Sequence, residues 1–235
     1  MSASPRIIRY YNLPLVMVSI VGKMGSGKTN WGYHILHELR EVYLAKQRKP
    51  RNKLVSYITP VYFPFDWSHV NNFWDFIEGR NGYEGVRFYR RVFVFIDDVS
   101  FAMHHASTRT REFLQSLARI RHRRPSVRRW YVAVAFHYSR ATLPFLRQSQ
   151  VIIATSCSTY GEEQGLKEFF NPSAVKRYHK IYLSDADKFP ALVNSWGHIS
   201  IMRIPFYNYK RWGNVIGANG VRNRQYKTED DGYRG

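Results

Sequence analysis

The 235-residue sequence contains a single cysteine, Cys157. One cysteine excludes an internal disulfide framework and a zinc finger, and it is typical of a protein from a reducing compartment. The sequence also lacks an apolar run close to the roughly 18 residues of a membrane-spanning helix, and residues 1–11 lack the apolar core of a signal peptide. Repeats and low-complexity tracts are absent from the sequence as well. We therefore expect a soluble protein that works inside a cell or a particle.

Acidic residues are scarce relative to basic ones. The chain has 17 Asp and Glu against 36 Lys and Arg, which leaves a formal net charge of +19. Such an excess attracts polyanions, because a phosphate backbone releases its counterions when it meets a basic surface. A basic surface that serves only solubility is the alternative. The length and the 44% hydrophobic content are sufficient for one domain with a full core.

Short apolar runs alternate with helical patterns along the chain, which predicts an α/β fold with a mainly parallel sheet flanked by helices. The predicted strands are residues 14–21, 54–59, 92–96, 130–136 and 151–155, with two further runs, 180–183 and 198–204, as candidate edge strands. The predicted helices are residues 29–47, 67–78, 108–121 and 143–148, and 162–181 with a break at Asn171 and Pro172.

The two ends of the sequence differ from its middle. Residues 1–13 precede the first predicted strand and form an N-terminal extension. After Trp212 the chain has five glycines, few apolar residues and mixed charge, so residues 213–235 are predicted to be a mobile tail. The predicted domain is therefore 14–212.

The first predicted strand leads directly into the pattern G-x-x-x-x-G-K-[ST], which predicts a phosphate-binding loop. In such a loop, glycines let backbone N–H groups close around phosphates, and the following helix directs its N-terminus at them. The lysine reaches the β and γ oxygens, and the hydroxyl binds magnesium. The candidate cofactor-binding residues for ATP and Mg²⁺ are Gly22, Lys23, Met24, Gly25, Ser26, Gly27, Lys28 and Thr29.

The predicted strand 92–96 ends in two carboxylates, Asp97 and Asp98. The first would face the metal held at Thr29, which is the Walker B role. The second lies one step further out and can accept a proton from the water that attacks the γ-phosphate. A helix cap at Asp98 is the structural alternative.

Arginines are concentrated between residues 109 and 129, where Glu112 is the single acidic residue. Such a segment can deliver an arginine to the γ-phosphate of a neighbouring subunit or line a groove for a nucleic-acid backbone. A solvated basic face is the alternative for most of them individually. The eight arginines are Arg109, Arg111, Arg119, Arg121, Arg123, Arg124, Arg128 and Arg129.

The predicted strand 130–136 ends at His137. In nucleotide hydrolases with an extra strand between the loop strand and the acidic strand, a polar side chain at this position senses the γ-phosphate. His137 is therefore the candidate sensor, and a structural histidine is the equally open alternative.

Four features together resemble the FtsK and HerA superfamily of DNA-translocating ATPases. They are the loop Gly-Lys-Met-Gly-Ser-Gly-Lys-Thr, the Phe-Ile-Asp-Asp strand end, the segment Leu-Ala-Arg-Ile-Arg-His at 117–122, and the polar strand end at His137. Within that superfamily, the compact size resembles the genome-packaging ATPases of tailless double-stranded DNA viruses, including archaeal ones. The resemblance covers about residues 14–156.

The resemblance implies a P-loop NTPase of the ASCE type, RecA-like, that uses ATP to thread double-stranded DNA through a ring of identical subunits, usually a hexamer. It implies Arg121 as the arginine that acts in trans, with Arg119 or Arg123 as substitutes. It also implies capsid or portal-vertex partners and a location in host cytoplasm or virion. The family usually has Asp-Glu where this chain has Asp97-Asp98, and glutamine where it has His137.

Two other functions fit the sequence. A P-loop kinase or phosphotransferase shares the loop and the size, and its lid would account for the arginines. A nucleotide-switched DNA-binding or virion-assembly protein would need only to bind nucleotide, with the aromatic residues of 206–212 stacking on bases. The acidic pair and the arginine-histidine order favour hydrolysis.

Overall fold

The computed structural model describes the residues in these ranges: 13–35, 38, 58–64, 74–75, 77–78, 80–81, 91–100, 112–113, 115–117, 119–123, 129–139, 142–185, 188–206 and 214–215. Of residues 58–64, 91–92, 121, 123 and 214–215, it describes the backbone only. Within these ranges, eight strands form one sheet in the order β7-β6-β5-β1-β4-β3-β2-β8. The strands are β1 (Leu15–Val21), β2 (Ile58–Pro64), β3 (Arg91–Asp97), β4 (Arg129–Phe136), β5 (Val151–Ala154), β6 (Pro190–Ser195), β7 (His198–Arg203) and β8 (Asn214–Val215).

The middle of the sheet is parallel. Strands β5, β1, β4, β3, β2 and β8 pair in parallel, whereas β6 pairs with β5 and β7 pairs with β6 in antiparallel fashion. The predicted α/β fold with a mainly parallel sheet is confirmed. Strand β4 lies between β1 and β3, which is the extra strand expected between the loop strand and the acidic strand.

Both faces of the central strands are buried, as parallel sheets require. Alternate residues of β1 belong to different apolar clusters, with Val18 on one face and Met17 on the other. Trp31 and Ile35 of the helix that follows the loop are fully buried in the cluster of Val18. Tyr178 packs in the cluster of Met17. Helices therefore cover the sheet from both sides.

The helices largely follow the predicted pattern. Residues 28–35 and 38 are helical, and so are 74–75, 77–78, 112–113 and 115–117. Four helices have defined bounds: Ile120–Arg123, Leu143–Gln148, Tyr160–Leu166 and Pro172–Ser184. The last two confirm the break at Asn171 and Pro172, where the Asn171 side chain accepts a hydrogen bond from the Ser173 N–H. The rest of the predicted helix 29–47 lies outside the described residues.

The candidate strand at 180–183 is wrong, because these residues are the end of the helix Pro172–Ser184. The local run of β-formers suggested a strand, but Val175, Tyr178 and Tyr182 recur at helical spacing and are buried on one face. The candidate strand at 198–204 is confirmed as β7, at the sheet edge. Strand β6 was not predicted from the sequence.

Strand β2 extends beyond its predicted end, and strand β8 was not predicted. Strand β2 continues past the predicted end at residue 59, through Pro60 to Pro64, although proline cannot donate to a ladder. Residues 54–57 of the predicted strand lie outside the described residues. Proline is tolerated near a sheet edge, and among the described strands β2 has only the two-residue β8 beyond it. Strand β8 lies in the predicted tail, and its two residues pair in parallel with Val61 and Tyr62 of β2.

The strand order of the sheet reverses at β1. Strand β1 pairs in parallel with β4 on one side and β5 on the other, so the carboxyl ends of all three strands lie at the same edge of the sheet. Ligands of open α/β sheets bind in the crevice where the strand order reverses, outside the carboxyl ends. The predicted loop follows β1 at that position. Among the described helices, none is both long and apolar enough to span a bilayer.

Candidate nucleotide-binding site

The predicted phosphate-binding loop connects β1 to the helix that starts at Lys28. Gly25 and Gly27 have φ angles of 75° and 84°, in the left-handed region that only glycine adopts at little cost. Gly22 has no room for a side chain, because a Cβ would overlap Thr155 Oγ1 and lie 2.6 Å from Ser26 Oγ. The loop therefore needs all three glycines in place.

Lys28 is only 8% exposed, and its ammonium is held inside the loop. Its Nζ donates to the carbonyl oxygens of Gly22 at 3.0 Å and Lys23 at 2.9 Å. Burial lowers the pKa of the Lys28 ammonium, and the carboxylates of Asp98 and Asp97 oppose that shift. The positive charge of Lys28 is therefore held inside the loop.

Thr29 and Asp97 meet across the crevice. The Thr29 hydroxyl donates to Asp97 Oδ2 at 2.6 Å, and Asp97 is buried at the end of β3. These two residues are 68 positions apart, and the parallel order β1-β4-β3 brings them together. The two predicted metal ligands are therefore neighbours.

Asp98 faces the same crevice from one residue further along, next to His137. Its backbone is left-handed, with a φ of 55°, and its side chain is 45% exposed. Asp98 Oδ1 lies 3.9 Å from His137 Nε2. The same oxygen is buried and has no hydrogen-bond partner among the described residues.

Two hydrogen bonds hold the ends of β3 and β4 together. The Val99 N–H donates to the Ala135 carbonyl, and the His137 N–H donates to Ser100 Oγ. We call Asp97, Asp98 and His137 the acidic side of the loop.

On the other flank of the loop, three polar residues after β5 hold it in shape. Thr155 Oγ1 and Ser26 Oγ are 2.6 Å apart. The Lys23 N–H donates to Ser156 Oγ at 2.9 Å, and the Ser156 hydroxyl donates to Glu162 Oε1 at 2.9 Å. A chain of hydrogen bonds therefore runs from the loop backbone to a carboxylate. We call Thr155, Ser156 and Glu162 the hydroxyl side of the loop.

Glu162 is anchored by its own helix start. Its Oε2 accepts hydrogen bonds from the backbone N–H groups of Ser158 and Thr159, and Thr159 caps the helix in return. Burial raises the pKa of the Glu162 carboxyl, but the Ser158 N–H and the neighbouring hydroxyls outweigh burial and leave it below the ordinary value. The carboxylate is therefore the stable form. Glu162 is not among the predicted site residues, although Thr-x-x-Glu, here Thr159 to Glu162, is the sequence pattern of a capping box.

The predicted arginine segment is described only in part. Arg121 and Arg123 belong to the helix Ile120–Arg123, and their side chains lie outside the described residues. Arg119 and His122 are exposed and line a surface concavity of about 480 Å³ with Glu112, Gln115 and Ser116. Arg109, Arg111, Arg124 and Arg128 lie outside the described residues. The role of Arg121 stays a prediction.

Solved structures show which fold this is. The genome packaging NTPase B204 from Sulfolobus turreted icosahedral virus 2, in complex with ATP-γS, is similar to the chain with a TM-score of 0.50 at 12% identity, over 83% of this chain and 100% of that one. Its complex with sulfate matches with a TM-score of 0.50 at 13% identity and the same coverage. No protein-family model matches the sequence, and no curated protein matches it significantly. The chain has the fold of a P-loop NTPase.

Proposed function

We propose that the protein binds and hydrolyses ATP in the crevice between its phosphate-binding loop and the ends of β3 and β4. The hydrogen bond from Thr29 to Asp97 carries the proposal, because it joins the loop hydroxyl to the acidic strand end in one constellation. Loop amides and the helix N-terminus would hold the phosphates. Lys28 would exchange its bonds to the Gly22 and Lys23 carbonyls for bonds to phosphate oxygens.

The donor set suits Mg²⁺. Magnesium prefers hard oxygen ligands and is typically bound by one or two carboxylates together with substrate phosphates. The Thr29 hydroxyl and the Asp97 carboxylate are such ligands, 2.6 Å apart. Among the described residues, no group of three or more His, Cys, Asp and Glu side chains could hold a metal alone, and a site completed by phosphates does not need one. The ion would neutralise charge on the β and γ oxygens.

Asp98 has the exposure and position of a general base. Its carboxylate is half exposed beside the crevice and can take a proton from a water aimed at the γ-phosphate. His137 Nε2 lies 3.9 Å from Asp98 Oδ1. From this position the ring can respond to the presence of the γ-phosphate and pass the change on to the end of β4. We propose Asp98 as the base and His137 as the sensor.

We further propose that hydrolysis moves double-stranded DNA and packages viral DNA into a capsid. The net charge of +19 supports a polyanionic partner. The fold similarity to a genome packaging NTPase is compatible with this activity. We propose that the subunits form a homo-oligomeric ring. In such a ring, Arg121 of one subunit would complete the site of the next and stabilise the charge of the transition state.

The test is ATP turnover by the purified protein with and without duplex DNA. We expect DNA to stimulate turnover, and we expect Lys28→Ala to reduce it at least about 100-fold, because a cation at developing phosphate charge is lost. Lys176→Ala removes an exposed lysine from the helix Pro172–Ser184 and is the matched control. If the protein hydrolyses ATP but neither binds DNA nor is stimulated by it, the DNA motor is contradicted. Transfer of the γ-phosphate to a small acceptor molecule would favour the kinase alternative.

A mixing experiment tests the arginine in trans. We expect Arg121→Ala and Asp98→Asn each to lose most of their turnover alone. Mixtures should regain part of it, since some interfaces then combine an intact arginine with an intact base. Normal turnover by Arg121→Ala would refute the assignment and direct attention to Arg119 or Arg123.

A further inference from the structure

Two phenylalanines lie together beside the phosphate-binding loop. Phe189 and Phe206 have ring centroids 6.1 Å apart with planes tilted by 36°, and Phe206 is 66% exposed. A large apolar ring that is two-thirds exposed beside the phosphate-binding loop has surface on which a planar ligand can stack. We propose that this pair is a stacking platform for the base of the bound nucleotide, an inference that rests on the proposed function.

The antiparallel strands bring both residues to the edge of the sheet where the loop lies. Phe189 immediately precedes β6, whose first residues pair with the end of β5, Ala154 with Leu192. Phe206 follows β7, whose last residue pairs with the first of β6. The platform therefore stands at the carboxyl end of β5, on the same edge as the loop after β1.

Direct contacts fix the platform to the loop and its helix. A Cβ on Gly27 would lie 2.5 Å from Phe189 Cδ1, so the ring packs against the loop backbone. The Trp31 indole N–H donates to the Phe189 carbonyl at 3.1 Å, and Asn30 Nδ2 donates to the Pro205 carbonyl at 2.8 Å. Both backbone segments that carry the rings are thus hydrogen-bonded to the first turn of the helix that starts at Lys28.

The direction of a bound triphosphate places its base on this flank. Lys28 reaches the β and γ phosphates, and the γ end must face the groups on β3 and β4. Those strands lie on one side of β1, whereas β5, β6 and β7 lie on the other. The nucleoside at the opposite end of the triphosphate therefore extends toward Phe189 and Phe206.

Phe189 also has a strained backbone. Its φ of 46° is in the left-handed region, which is unfavourable for a residue with a bulky side chain. Such conformations persist when the surroundings enforce them, and they concentrate at ligand sites. Here the hydrogen bond from Trp31 and the packing on Gly27 enforce it.

Stacking predicts a weak preference among bases. Every base has a π face, and larger rings offer more contact, so the platform should accept purines better than pyrimidines without reading a hydrogen-bonding edge. The ligand class is a purine nucleoside triphosphate.

The test compares a ligand that has a base with one that lacks it. Calorimetric titration with Mg²⁺ measures the Kd of ATP and of inorganic tripolyphosphate for wild type, Phe206→Ala, Phe206→Trp and Leu183→Ala. Leu183 is 64% exposed on the helix Pro172–Ser184, so its replacement matches the loss of exposed apolar surface. We expect Phe206→Ala to weaken ATP binding about 5- to 150-fold and to leave tripolyphosphate unchanged. Phe206→Trp should bind ATP at least as tightly as wild type, and Leu183→Ala should match wild type for both ligands.

Failure of this inference and failure of the proposed function give different results. If Phe206→Ala binds ATP as tightly as wild type does, or loses both ligands equally, the platform is refuted and the ATP site stands. If wild type binds neither ligand, the proposed function itself is refuted.

Discussion

The acidic side and the hydroxyl side flank one loop but are built differently. On the hydroxyl side, Thr155, Ser156 and Glu162 are each hydrogen-bonded to the loop, to the end of β1 or to one another, at distances up to 3.2 Å. On the acidic side, Asp98 has a left-handed backbone and a buried Oδ1 with no hydrogen-bond partner among the described residues. Strain and unsatisfied polar atoms concentrate where proteins bind and react.

This difference suggests that one side of the loop maintains its conformation and the other takes part in the reaction. The hydroxyl side holds the loop in its conformation, since its hydrogen bonds end on loop backbone and loop side chains. The acidic side has a carboxylate oxygen, Asp98 Oδ1, that can still accept a hydrogen bond from a substrate or water. Substitutions on the acidic side should therefore change turnover with little change in stability, and substitutions on the hydroxyl side should change stability and binding first.

The largest expected effect is that of Asp98→Asn. Asparagine tolerates the left-handed backbone at this position, so the fold should be kept while the proton acceptor is lost. We expect ATP turnover to fall about 10²- to 10⁴-fold with little change in the Kd of ATP. Single-turnover hydrolysis and calorimetry measure the two quantities separately.

Glu168→Gln is the control for Asp98→Asn, because it makes the same carboxylate-to-amide change at an exposed ion pair with Arg147. Its turnover should equal that of wild type. If Asp98→Asn instead lowers the melting temperature and keeps turnover, Asp98 is a helix cap, and the contrast between the two sides disappears.

The next effect is that of Glu162→Gln on the hydroxyl side. The amide cannot accept as many hydrogen bonds as the carboxylate, which now takes them from Ser156, Ser158 and Thr159. Hydrogen bonds to charged groups are worth about 1.5–3 kcal/mol each, so the free energy of unfolding should fall by about that much. Denaturant unfolding measures it. A loss of turnover at unchanged stability would contradict the structural role.

The same carboxylate predicts a pH dependence. Since the folded pKa of Glu162 is lowered from its ordinary value of 4.5, its contribution to stability is complete above about pH 4.5 and is lost as the pH falls through the folded pKa. Wild type should therefore lose more stability than Glu162→Gln on acidification. If the free energy of unfolding falls equally for wild type and Glu162→Gln between neutral pH and pH 3, Glu162 is not the source of the pH dependence.

The two sides also differ in how far the sequence predicted them. The acidic side follows from local patterns, since each of its residues ends a predicted strand and parallel strands end at one edge. The hydroxyl side depends on pairs such as Ser26 and Thr155, which are 129 positions apart and carry no local signature. Strand β6 was missed for a related reason, since its antiparallel pairing with β5 is a tertiary contact. The platform of Phe189 and Phe206 depends on the same hairpin.

The smallest effect tests whether the two sides are mechanically connected. Tyr138, next to His137, packs its ring on Gly165 of the helix that begins near Glu162, and a Cβ at Gly165 would overlap that ring. Gly165→Ala should therefore displace Tyr138, lower the free energy of unfolding by about 1 kcal/mol and reduce turnover a few-fold through the end of β4.

Gly161→Ala is the matched control for Gly165→Ala, because Gly161 belongs to the same helix and a Cβ there meets nothing within 4 Å. It should be neutral or slightly stabilising, since alanine is the better helix former. Tyr138→Ala combined with Gly165→Ala should remove the overlap, so the two stability changes should not add. Additive changes, or turnover in Gly165→Ala equal to that in Gly161→Ala, would mean that the helix of the hydroxyl side does not position His137.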